Sequence, residues 1–287
     1  MVNTGKTSLT IRNHDRDAVQ MTYVYPVVSR RAGGVSVGIN LNPNNACNWR
    51  CIYCQVPDLK RGAAPPIDLK QLEAELMALL TDILQGDFMQ TRVAEDARRL
   101  NDIALSGNGE PTSAKEFPEV IHLIGRVMKH FDLVGKIKLV LITNGSLISR
   151  EPVQLGLKHL AKLGGEVWYK LDAATRDGMA RTNNTRQSLK KTAAHLTLAA
   201  QLCPTWVQTC VFALDALVPS ASEQQAYLDF LSGLLTQGVE LQGVLLYGIA
   251  RESHQPEAPR LSALPQAWLE DLGRRIEQLG LVVRITP

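Results

Sequence analysis

From about residue 35 to the C-terminus, short apolar runs alternate with longer stretches whose apolar residues recur at helical spacing. Residues 34–42 alternate at period two, as a half-buried strand does. Residues 67–80 place apolar side chains three and four apart, which predicts a helix, and Asp68 stands where an N-cap would accept from the free amides of the first turn. The alternation continues with strands expected over residues 102–106, 138–143, 166–171, 206–212 and 244–247. Helices are expected near 118–129, 152–162, 188–202, 223–236 and 264–279, and a short final strand over 281–285. Six βα units predict an α/β fold with a parallel sheet and right-handed crossovers, either an open doubly wound sheet or an incomplete barrel. In both, site residues belong at the C-terminal ends of the strands. Residues 1–33 read as an N-terminal extension with a possible strand at 21–28, residues 34–287 as one domain, and the polar, proline-rich residues 57–66 as a mobile loop.

Composition narrows this picture. A chain of 287 residues with 45% apolar and 21% charged side chains has the mix of a soluble globular protein. Its net charge of +3 does not point to a nucleic-acid or membrane surface, although a local basic patch and hence a nucleic-acid partner stay open. The first residues lack the apolar stretch of a signal peptide, and no window approaches the ~18 apolar residues of a membrane span. A cytoplasmic location and no membrane partner are expected.

Three of the five cysteines fall in one eight-residue loop after the first strand of the alternation, Cys47-Asn-Trp-Arg-Cys51-Ile-Tyr-Cys54. In a reducing compartment such clustering suggests a metal rather than disulfides. Three thiolates from one loop can ligate three irons of a cubane, leaving the fourth iron open to a small molecule. A structural zinc site would need a fourth ligand, and His14, Cys203 and Cys210 do not fall at a recognisable partner spacing. A third alternative is inert core cysteines. Downstream, Ser106-Gly-Asn-Gly-Glu-Pro-Thr112 follows a strand, and its glycines let the backbone approach a ligand closely. Thr143-Asn-Gly145 ends the next strand, as a plain Asn-Gly turn would. Lys170 and Asp172 share a face at the end of the fourth strand, either as a site pair or as a structural ion pair. Gly5-Lys6-Thr7 lacks the upstream glycine of a phosphate loop, and Cys203 and Cys210 read as core residues.

The cysteine loop resembles the CxxxCxxC signature of the radical S-adenosylmethionine (SAM) superfamily, with an aromatic residue, Tyr53, before the last cysteine. The runs GINLNP, CNWRCIYCQV, SGNGEPT and KLDA most resemble its general iron–sulfur oxidoreductase group, which includes the tRNA wyosine-type synthases. The chain lacks their second set of cysteines. The resemblance implies a partial (β/α)6 TIM-like barrel, a 4Fe-4S cluster held by Cys47, Cys51 and Cys54, and reductive cleavage of SAM to a 5′-deoxyadenosyl radical. It further implies a reducing partner such as flavodoxin or ferredoxin. It places Tyr53 near the adenine, and Gly107, Asn108, Gly109 and Glu110 at the cofactor's amino group, with Asn108 where the family often has glycine. Asn144, Lys170, Asp172 and Gln208 would meet the ribose and carboxylate, and Tyr247 lies in the strand whose backbone meets the adenine. The substrate is left open between a small molecule and an RNA base. A radical activase or protein-modifying enzyme, and a non-catalytic iron–sulfur or zinc protein, remain as alternatives.

Overall fold

The computed structural model describes residues 21–29 and 33–287. Gly5-Lys6-Thr7 and His14 lie outside them. The chain builds one sheet whose eight strands follow each other in chain order. Strand β1 (Val24–Ser29) pairs antiparallel with β2 (Gly34–Ile39), and every later pairing within this sheet is parallel. The parallel series runs through β3 (Leu100–Leu105), β4 (Lys138–Thr143), β5 (Glu166–Lys170), β6 (Thr205–Val211), β7 (Gly243–Gly248) and β8 (Val283–Thr286). The sheet curls into a half-barrel, the expected partial (β/α)6 barrel. Part of the segment read as an extension therefore lies in the barrel sheet: β1 pairs with β2 along its whole length.

Helices α1 (Leu69–Gln85), α2 (Phe88–Arg92), α3 (Phe117–His130), α4 (Glu151–Lys162), α5 (Arg176–Asn183), α6 (Leu189–Leu202), α7 (Ala221–Thr236) and α8 (Gln266–Glu277) connect the strands. Their starts follow local chemistry. Asp68 accepts from Lys70 N and Gln71 N at 3.0 and 3.1 Å, and Ser220 with Glu223 forms a capping box. Apolar side chains such as Leu72, Leu76, Ile121, Ile124, Leu157, Leu196, Leu231 and Leu269 pack on the outer sheet face, which carries Val37, Ile103, Leu139, Val167, Val207 and Val244. This single core consumes one face of every parallel strand.

The other face is different in kind. Residues paired in register point the same way, so Ser36 and Asp102, Ile142 and Trp168, Lys170 and Gln208, and Cys210 and Tyr247 line up across the concave side. Polar side chains cluster here because a partial barrel leaves its interior open at the mouth.

Further findings depart from the sequence reading, the short helix α2 among them. Helix α5 was not anticipated, because its buried residues Gly178, Met179, Thr182 and Asn183 carry little apolar periodicity. Residues 57–66, expected to be mobile, are strapped to the cysteine loop. Lys60 N donates to Asn45 O at 2.8 Å, Gly62 N to Cys47 O at 3.1 Å, and Arg61 Nη1 to Asn48 O at 2.6 Å. Among the described residues no helix is long and apolar enough to cross a membrane.

Candidate metal and cofactor site

A cavity of about 290 Å³ opens at the C-terminal ends of β2 to β5. All three clustered cysteines line it, and each is half-buried. The loop carrying them is held by backbone contacts on both sides. Ile52 N donates to Thr182 O at 2.9 Å and Arg50 N to Asn183 O at 3.3 Å, both at the end of α5. On the other side lies the segment after β7: His254 N donates to Cys54 O at 2.9 Å, and the Ser253 hydroxyl sits 2.8 Å from Ile52 O. Gln255 Nε2 donates to Val56 O at 3.0 Å, and Arg50 grips the Glu257 carboxylate through two bonds of 2.8 and 2.6 Å. That pair pulls Glu257 below the usual carboxylate range.

Burial pushes the Cys47 thiol up to about 12, opposed by the Trp49 N–H. Burial likewise pushes Cys51 up to about 11, opposed first by Lys170. Both are therefore protonated at neutral pH, and a metal binding here must displace their protons. Among the described residues, no three His, Cys, Asp or Glu side chains are grouped to hold a single metal ion.

The glycine-rich loop packs directly on the cysteine loop. A Cβ on Gly109 would stand 2.1 Å from Ala46 O, and one on Gly107 would stand 2.4 Å from Asn40 Oδ1. The glycines thus permit a close approach between two loops of the protein. Asn40 Oδ1 accepts from Asn42 N and Asn108 N at 3.1 and 3.0 Å, so one side chain fixes both loops. Asn108 Nδ2 donates to Asn45 at 2.6 Å, while its Oδ1 is buried with no hydrogen-bond partner. Glu110 is a hub beneath them. It accepts from Thr112 N, Thr112 Oγ1, Thr143 Oγ1 and Asn144 N at 3.1, 2.6, 2.6 and 2.7 Å. Burial raises its pKa against the pull of those donors. Asn144 spends its Nδ2 on Asn48 of the cysteine loop, at 2.8 Å.

At the end of β5, Lys170 reaches the cavity and Asp172 does not. The Asp172 side chain is 0% exposed and sits 3.7 Å from Lys170 Nζ. It accepts from Tyr53 OH at 2.5 Å, Asn183 Nδ2 at 2.6 Å and Cys210 N at 2.9 Å. Lys170 also bonds the Tyr53 hydroxyl. Burial alone would lower the pKa of Lys170; Asp172 and its other neighbours outweigh it, so the ammonium is held charged. Burial and Asp172 both keep the Tyr53 phenol protonated.

The structure thus gathers Cys47, Cys51, Cys54, Gly107, Asn108, Gly109, Glu110, Asn144 and Lys170 on one cavity. Tyr53 and Tyr247 lie behind it in a small cluster with Ile52 and Phe212. Asp172 supports Tyr53, and Gln208 is fully buried beside Lys170 with its Oε1 unpartnered. Sequence reading missed Asn40, Asn42, Asn48 and Asn183 and the segment 253–257, which hold the loops. The run of asparagines at 42–48 was the one available signal, since these side chains favour local backbone bonds over regular structure.

No family model matches the chain. A UPF0026 protein of Helicobacter pylori strain J99 is 27% identical over 221 residues, covering 76% of this chain and 65% of its own length. A second, from H. pylori strain 26695, is 33% identical over 46% of this chain and 38% of its own. The chain therefore spans less than two thirds of either relative. Among solved structures, TYW1 with a lysine-pyruvate adduct bound superposes with a TM-score of 0.55 at 15% identity, covering 96% of this chain and 80% of that one. A radical SAM methyltransferase from Sphaerobacter thermophilus gives 0.53 at 14% identity, covering 88% and 66%. Spore photoproduct lyase in complex with its dinucleoside photoproduct gives 0.50 at 12% identity, covering 84% and 74%. Motif and architecture agree: the chain is built on the partial barrel of the radical S-adenosylmethionine enzymes.

Proposed function

We propose that this protein holds a 4Fe-4S cluster on Cys47, Cys51 and Cys54 and uses it to cleave SAM reductively, for hydrogen abstraction from a small molecule or an RNA base. The observation that carries this reading is the placement of three half-buried thiols on one cavity at the C-terminal mouth of the barrel. Three thiols on one cavity suit a cubane, in which each thiolate takes a different iron and the fourth iron stays open, better than a zinc site closed by four ligands. The buried, unpartnered Asn108 Oδ1 in the cavity wall supplies an acceptor that the protein itself leaves open, fitting an ammonium or amide donor on a ligand.

When bound, the cluster supplies the electron that breaks the sulfonium bond and yields a carbon radical. The chain's own residues bind and aim. Lys170, charged and open to the cavity, offers a cation to a carboxylate. The Asn40 and Glu110 hubs hold Asn108 and Asn144 in position, and the Trp168 ring closes one wall. A small reducing protein such as flavodoxin or ferredoxin would deliver the electron.

The test is 5′-deoxyadenosine release by the anaerobically reconstituted chain with dithionite and SAM, beside Cys51→Ala. Release by the intact protein alone is the expected result. Zinc in place of iron, with no release, would replace this reading by a structural metal site.

A further inference from the structure

We infer that Asn183 sets the reduction potential of the cluster by donating a hydrogen bond to the Cys51 thiolate; this rests on the cluster reading above. Asn183 is the last residue of α5, is 1% exposed, and is not one of the expected cofactor contacts. Its amide nitrogen lies 2.6 Å from Asp172 Oδ2 and 3.3 Å from Cys51 Sγ. An ionised carboxylate only accepts, so the group facing Asp172 must be the NH2, and the amide has one orientation. Its second hydrogen is then available to the sulfur.

The arrangement is fixed from both ends. Asp172 is anchored by Cys210 N and the Tyr53 hydroxyl, so the Asn183 side chain cannot follow a moving carboxylate. The backbone of α5 holds the cysteine loop on either side of Cys51, through Arg50 N to Asn183 O and Ile52 N to Thr182 O. The spacing between Asn183 and the sulfur is therefore set by main chain rather than by a flexible side chain. A donor aimed at a ligating thiolate favours the more negatively charged state of the cluster. Asn183 makes the cluster easier to reduce. Its place is that of a positioning and tuning residue, acting through Cys51 and touching no substrate.

The experiment is an EPR-monitored redox titration of the anaerobically reconstituted full chain, wild type against Asn183→Leu. Loss of a charge-assisted donor is expected to lower the ratio of reduced to oxidised cluster at fixed poise about tenfold, which for a one-electron couple is about 59 mV. An intact cluster with an unchanged midpoint overturns the inference. Wild-type protein labelled with 15N-asparagine supplies a readout that needs no variant. Pulsed EPR of its reduced cluster should show a coupled asparagine nitrogen and an exchangeable proton, and their absence overturns the inference as well. Wild-type protein carrying no EPR-active cluster would instead remove the cluster reading, and this inference with it.

Discussion

The five cysteines fall into two environments. Cys47, Cys51 and Cys54 are half-buried on a loop that faces a cavity, whereas Cys203 and Cys210 are 3% and 2% exposed within the core. Thiol acidity does not separate the groups: burial pushes Cys203 up to about 12, the same level as Cys47. Surroundings do separate them. Cys203 is spent on Gly165 O at 3.4 Å and on apolar neighbours, and Cys210 packs against Ile52 and Phe212. The loop thiols instead line a cavity, on a loop that backbone contacts hold on both sides. A cysteine becomes a ligand candidate here through where the main chain aims it, with intrinsic reactivity playing little part.

The largest effect follows from that contrast. Cys51→Ala is expected to abolish iron binding after reconstitution, whereas Cys203→Ala should keep its full iron and lose only about 1 kcal/mol of stability. Iron analysis and a urea melt check both, and equal iron loss in the two variants would erase the distinction. Gly109→Ala comes next. Its Cβ would collide with Ala46 O, beside Cys47, so the two loops must part. Overpacking of this kind costs about 1–3 kcal/mol. Iron content should fall several-fold in a chain whose circular dichroism is unchanged; full iron would show that the loop approach is dispensable.

The smallest effect concerns the clamp. Glu257 titrates below its ordinary 4.5 because of Arg50. A depressed folded value means that its contribution is complete above the unfolded value and disappears as the pH falls through the folded one. Glu257→Gln should therefore cost about 1 kcal/mol at neutral pH and nothing well below pH 4.5, read as a urea-midpoint difference against wild type. A difference that persisted in acid would assign the clamp to packing instead of charge.

Much of the fold was legible in the sequence. The period-two run at 34–42 and the helical spacing at 67–80 became β2 and α1, with Asp68 as the cap. The apolar strands that follow them carried their own signal because one face of each is buried under helices. Helix α5 was hidden, since a helix packed through Gly178, Thr182 and Asn183 has no apolar stripe to read. The site was legible to the same degree. Cysteine spacing is local and visible. The partners of Asp172 are not: Tyr53 lies 119 residues away in sequence, and only the return of β5 beside the loop brings them together.

Sequence alone determined the alternation of strand and helix, the three-thiol loop and the glycines that follow it. These depend on short-range periodicity and on backbone freedom, which are written in neighbouring residues. Tertiary structure decided which polar groups face the cavity and which are consumed in holding it. Glu110 and Asn144 became scaffold as well as wall, Asp172 turned inward, and Asn183 was brought to Cys51. The reason is that a buried polar group must find its partner wherever the fold places one, and those partners lie far apart along the chain.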